Sequence, residues 1–191
     1  MKRNIKGTIV LIFLTALILS SMAYSQGPRK EIKLKVKGSL NIISPAFKHK
    51  SNIPIRYTCD GENISPPLKW SGAPEETKSF AIICDDPDAP MGTFVHWVIF
   101  NIPADSTGLK EALPGKKKLN STAIQGKNSF GKIGYLGPCP PKGKPHRYYF
   151  KLYALDTKLD LKPGVNKKTL LKAMKGHNLA KGELMGYYGR K

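Results

Sequence analysis

The chain has 191 residues and a formal charge of +19, with 32 Lys and Arg against 13 Asp and Glu, which is enough length for one domain with a hydrophobic core and gives a surface that attracts anions in general. Its basic residues, at Lys33, Lys35, Lys37, 116–118, Lys142, Lys144 and through 167–175, are scattered and do not interleave with aromatics as in a nucleic-acid module, so a specific nucleic-acid partner is excluded. No Gly-rich phosphate loop, zinc-type cysteine pair or nucleophile elbow is present, and the absence of repeats and of strand–helix alternation argues against solenoids and doubly wound sheets.

Residues 1–25 place Lys2, Arg3 and Lys6 ahead of an apolar run over 9–19, followed by small Ala23 and Ser25. This is the three-part layout of a secretory signal with cleavage near Ser25, before Gln26, leaving a periplasmic or secreted protein. The competing reading is an uncleaved anchor, for which the apolar run is short. In the basic lead-in over 26–38, Ile32, Leu34 and Val36 alternate with lysines, the period of a half-buried edge strand. The domain proper is placed at 39–191.

Short strands are expected over 40–43 and 53–58, and a long turn from Cys59 to Pro67 delivers a strand at 68–70. Two apolar runs, 80–84 and 94–100, flank Asp85, Asp86, Pro87, Asp88, Ala89, Pro90, Met91 and Gly92, a strand, a stiff acidic turn and a second strand. His96 lies inside the second run beside Trp97, where an imidazole needs a partner. Residues 102–130 and 131–147 read as irregular connection with at most a helical turn at 109–113. Residues 148–155 alternate as a strand, Asn166 is a candidate N-cap for a helix over 167–175 carrying Leu170, Leu171 and Met174, Gly176 suits its end, and 183–188 forms a last strand. Seven to nine short strands with one clear late helix give an all-β, two-sheet antiparallel, Greek-key-like sandwich with one or two short accessory helices, including one near the C-terminus.

Several motifs then stand in order: CDGENISPPLKW over 59–70, DPDAP over 86–90, HW at His96 and Trp97, QGKNSFGKIGY over 125–135, and GPCPPKGKPHRYYF over 137–150. Together they resemble the phosphatidylethanolamine-binding proteins, in particular the bacterial branch called Raf-kinase-inhibitor-like, over about 40–188. The resemblance implies two antiparallel sheets with a small anion pocket at one end. Its ligand-binding positions match Asp86, Asp88, His96, the segment 137–141 with Cys139, His146 and Tyr148. Two departures from the family pattern stand out: Cys139 where many eukaryotic members carry glycine, and Ser129 where bacterial relatives often carry aspartate. An exported chain meets an oxidising compartment, so Cys59 and Cys139, both in Gly/Pro-flanked loops, are the candidate disulfide, and Cys84 is left in a strand.

The chemistry of these residue types is that of anion recognition. Two imidazoles and a phenol can donate to phosphate oxygens, and carboxylates can orient the histidines or meet a headgroup amine. The reading is therefore an exported, non-catalytic binding protein for phosphate, a phosphorylated small molecule or a lipid headgroup, with no cofactor, no metal and no catalytic residue assigned. An anionic membrane surface and a homodimer are further partners it admits. Two alternatives stay open: a metal-dependent or acid–base hydrolase using the same His/Asp cluster, and a protease or kinase inhibitor acting through the basic surface, as the family name suggests.

Overall fold

The structure, a computed structural model, describes residues 38–119 and 122–191. The expected signal segment and, apart from Gly38, the lead-in with its alternating Ile32, Leu34 and Val36 lie outside the described residues. Strands β1 (Gly38–Ser39), β2 (Asn41–Ile43) and β3 (Ser51–Asn52) precede a single 3₁₀ turn at Ile55–Tyr57; β4 (Leu68–Ser71), β5 (Ser79–Asp86), β6 (Phe94–Pro103), β7 (Gly108–Leu109), β8 (Ile124–Gln125) and β9 (His146–Leu155) follow, then helix α1 (Lys167–Ala173) and β10 (Asn178–Tyr188). The larger sheet runs β1-β10-β9-β5-β6-β8, with β3 also paired to β10, and the smaller runs β2-β4-β7. Pairing is antiparallel except where β1 and β3 lie parallel to β10.

Every residue of β5 is buried because the large sheet is covered on both faces, which is why its sequence reads as a continuous apolar run. Ile82, Cys84, Trp97, Ile99, Phe150 and Leu152 face the small sheet and meet Ile42, Leu68 and Trp70. Ala81, Ile83, Val98, Phe100 and Leu155 face the other way, against Leu170 and Met174 of the helical segment. A seven-residue helix is too short to persist alone. It is held by those two fully buried side chains, worth about 1.5–3 kcal/mol each, and by the Asn166 carboxamide, which accepts from the Thr169 N–H at 2.9 Å. Gly176, at φ +91°, lets the chain turn back into β10.

Three local expectations are corrected. Residues 53–58 do not extend as a strand: Pro54 starts the 3₁₀ turn at 55–57, and the Thr58 N–H and hydroxyl both bond the Ile55 carbonyl, at 3.0 and 2.8 Å. No helical turn forms at 109–113, because Gly108 and Leu109 pair with β4 while the N–H groups of Ala112 and Leu113 go to the carbonyl and hydroxyl of Ser65. The last strand begins at Asn178 rather than 183 and pairs along the whole of β9.

The pairing of β6 with β5 is interrupted twice. Between Phe80 and Ile82 of β5 the ladder skips from Ile102 to Ile99, with Asn101 at φ +54°. Between Cys84 and Asp85 it skips from Trp97 to Val95, so His96 is the extra residue of a β-bulge.

Candidate functional site

The bulge gives His96 its direction. In an unbroken strand His96 and Trp97 would face opposite sides of the sheet. Here Val95 packs with the helix-side core, while Trp97 joins the core between the sheets. The His96 ring meets Tyr148 edge-on at 5.1 Å. Tyr148 is two residues into β9, and the Asp85–Tyr149 pair sets Asp86 beside it at the end of β5. His146 opens β9 and places its Nδ1 2.8 Å from Asp86 Oδ2. Residues up to 62 positions apart in sequence thus meet at one end of the large sheet.

The hydrogen bonds fix the protonation pattern. His96 Nδ1 lies 2.7 Å from the Leu136 carbonyl, which can only accept, so Nδ1 carries the proton and Nε2 is a lone pair in the neutral ring. His146 is held in the same way, with Nδ1 donating to Asp86. Asp86 accepts on both oxygens, the second from the Asp88 N–H at 2.8 Å. Tyr148 stands beside the same carboxylate. It is 0% exposed, and its hydroxyl makes no hydrogen bond among the described residues. Burial first, then the nearby Asp86 charge, push that hydroxyl far above the usual phenol range. Burial likewise pulls the His96 imidazole below its ordinary pKa, against the opposing pull of the Leu136 carbonyl and of Asp86.

The remaining acidic residues of the turn serve the frame. Asp88 takes the Arg147 backbone N–H and Nε at 2.9 Å each and Nη2 at 2.6 Å. These bonds, led by the Arg147 side chain, hold its carboxyl down to about 2. Asp85 is fully buried on the opposite, helix-side face, where Lys151 (2.7 Å) and Lys167 both bond its carboxylate. Cys139 is bonded to Cys59 across 80 residues, with Cα atoms 5.4 Å apart, and so has no thiol to offer a ligand. Cys84 is buried and free, its thiol pushed up chiefly by burial.

The segment 135–139 packs beside His96. The Leu136 N–H returns to the His96 carbonyl, the Tyr135 hydroxyl bonds the Tyr57 carbonyl at 2.9 Å, the Gly137 N–H bonds Asn63 Oδ1 at 2.7 Å, and the Cys59 N–H bonds the Pro138 carbonyl. Gly137 has no alternative there: a Cβ would stand 2.5 Å from the Tyr57 carbonyl oxygen and 2.7 Å from Asn63 Oδ1. The segment 137–141 therefore has few backbone N–H groups to offer a ligand. Gly137 is already bonded to Asn63 and three of the next four residues are proline, so Cys139 keeps the one remaining N–H of 137–141.

Sequence reasoning passed over Arg147, Asn63 and the Leu136 carbonyl. Asn63 carried a signal, since an asparagine in a Gly-containing turn is suited to its φ of +57°; the other two are visible only through pairing across the fold. Among the described residues no three His, Cys, Asp or Glu side chains are arranged to hold a metal ion. Two open surface grooves lie elsewhere, one along Pro45, Pro67, Trp70 and 105–111 and the other along Thr77, Lys78, Asp156 and Lys158. Neither gathers the two imidazoles and orphan hydroxyl found at the sheet end.

A family model described as phosphatidylethanolamine-binding protein matches residues 43–189. The chain belongs to the phosphatidylethanolamine-binding protein family. Within this family it is similar to the UPF0098 protein of Methanothermobacter thermautotrophicus, 58% identical over 151 residues that cover 79% of this chain and 99% of that one. It is also similar to the UPF0098 protein PH1269 of Pyrococcus horikoshii, at 46% over 190 residues, covering 98% and 92%. Crystal structures of the family homologue CT736 from Chlamydia trachomatis and of YbcL from E. coli superpose with TM-scores of 0.73 and 0.72, at 41% and 38% identity, over 81% of this chain and all of theirs. The two-sheet architecture with its short late helix is therefore that of the family.

Proposed function

We propose that the chain is exported after cleavage near Ser25 and that the mature protein binds, without turning it over, the phosphoryl group of a small molecule or lipid headgroup at Asp86, His96, His146 and Tyr148. The observation that carries this reading is the buried Tyr148 hydroxyl, a donor with no partner, beside two imidazoles whose Nδ1 atoms are committed and whose Nε2 atoms remain. An unpaired buried donor is costly, and an oxyanion entering beside it would remove that cost. Asp86 would act through His146 rather than on the anion, since a carboxylate repels phosphate. Asp88 and Cys139, bonded to Arg147 and Cys59, would shape the pocket and leave the ligand contacts to His96, His146 and Tyr148.

Protonation of His96 would turn its Nε2 into a donor. Its lowered pKa puts that gain below about pH 6.5, so phosphate binding should tighten on the acid side of neutrality. Titration calorimetry with inorganic phosphate from about pH 5 to 8 tests the reading. His96→Ala or His146→Ala should each cost about 1.5–3 kcal/mol of binding with the fold intact. Two variants that hold phosphate as well as the parent would refute the site, and phosphoester hydrolysis abolished by either substitution would replace binding with catalysis. Export is tested separately by sequencing the N-terminus of the protein recovered from cells. A start near Gln26 is expected, and an intact Met1 in the membrane fraction would overturn it.

A further inference from the structure

Two of the most exposed apolar side chains of the described residues stand beside this pocket. Met91 is 95% exposed and Phe130 70%. Met91 lies in the turn closed by the Asp86–Phe94 pair. The Phe130 ring packs edge-on against Phe94 at 4.9 Å, and Phe94 against His96 at 4.8 Å. Phe130 is held outward by its backbone. The N–H groups of Ser129, Phe130, Gly131 and Lys132 are all bonded, to the Val95 carbonyl, Asn128 Oδ1, the Asn128 carbonyl and Asn128 Oδ1 in turn, and Asn128 itself is buried. A turn fixed in this way presents its phenylalanine at no further cost in ordering.

The charges around these two side chains are uncompensated. Lys127 and Lys132 flank Phe130, while Lys142 and Lys144 lie in the segment that enters β9 at His146. All four are exposed and none has a carboxylate partner among the described residues. The acids of this end are engaged: Asp86 with His146, Asp88 with Arg147, and Asp60 with Arg190 and Tyr188. Two exposed apolar side chains with unpaired ammonium groups on the neighbouring segments match an interface that is oily below and anionic above. A second copy of the chain fits poorly, because its charge of +19 repels its own kind.

We propose that this end of the sheet is a docking face for an anionic lipid bilayer, with Met91 and Phe130 entering the boundary between headgroups and acyl chains and Lys127, Lys132, Lys142 and Lys144 at headgroup level. The proposal does not depend on the pocket binding phosphate. The processed protein purified from cells should float with phosphatidylcholine–phosphatidylglycerol vesicles and not with pure phosphatidylcholine. Met91→Ser with Phe130→Ser, which leaves every charge in place, should weaken that binding by about 10-fold or more at unchanged melting temperature and phosphate affinity. Replacing the four lysines with Gln should abolish it. A Phe130→Trp variant adds an exposed indole to a chain whose own two tryptophans are buried, and its emission should shift to the blue on vesicles. Vesicle binding unaffected by the double serine variant would overturn the proposal, leaving only diffuse attraction by the basic surface. So would binding lost in His96→Ala but kept in the serine variant, which would mean capture of a headgroup by the pocket. An unshifted Phe130→Trp emission, or engagement of an acidic protein in preference to vesicles, would overturn it as well.

Discussion

Replacing Tyr148 with Phe removes one oxygen from a residue that is 0% exposed and whose hydroxyl has no partner. Each oxygen of nearby Asp86 already accepts one bond, from the Asp88 N–H and from His146, and the hydroxyl, unpaired among the described residues, bears a desolvation cost of about 1–3 kcal/mol. The variant should therefore be at least as stable as the parent and is expected to gain about 1 kcal/mol, or roughly 2–4 °C in melting temperature for a domain of this size. Binding should move the opposite way. Loss of a hydrogen bond to a charged oxygen costs about 1.5–3 kcal/mol, a rise in Kd of roughly 10- to 150-fold. Urea denaturation in phosphate-free buffer and calorimetric titration with inorganic phosphate read the two effects separately. A destabilised variant that still binds phosphate like the parent would mean the hydroxyl is a structural group, and the reasoning about the pocket would fail.

Serine at both Cys59 and Cys139 opens a link across 80 residues and should cost about 4.5 kcal/mol on the chain-entropy model; urea unfolding checks this, and a loss under about 1 kcal/mol would show that the unfolded chain is not what the bridge restrains. Because burial lowers the His96 pKa, the unfolded chain takes up the proton first as pH falls, so stability present in full above about pH 6.5 should erode below it. His96→Gln should flatten that acid slope, and an unchanged slope would assign it to other groups. Asp85→Ala leaves Lys151 and Lys167 facing a buried gap and should cost about 3 kcal/mol, whereas Asp88→Asn opposite the half-exposed Arg147 should cost only about 1 kcal/mol; equal losses in chemical denaturation would contradict the different burial of the two pairs.

The elements that could be read from the sequence are those whose signal is local. The apolar runs of β5 and β6, the alternation of β9 and the Asn166 cap each carry their own evidence within a few residues. Most of what escaped reading depends on distant partners: Gly108 and Leu109 become a strand because β4 offers an edge. Ile55–Tyr57 is the local exception, where Pro54 and Thr58 close a turn rather than join a ladder. The site divides the same way. Residue types and motif order named Asp86, His96, His146 and Tyr148, but the sorting of three neighbouring carboxylates into one that holds His146, one clamped by Arg147 and one by two lysines needed the strand faces and the register of β9.

The bulge at His96 separates the scaffold from its chemistry. Val95 and Trp97 already stand opposite consecutive residues of β5, so the ladder is complete without the residue between them. A chain with position 96 deleted would close the pleat and keep both cores in step, and it would lose the imidazole together with its grip on Leu136. In this fold one residue of the proposed binding site behaves as an insertion between two paired positions, so a lineage could acquire or discard it in a single codon event while the sandwich around it stayed the same.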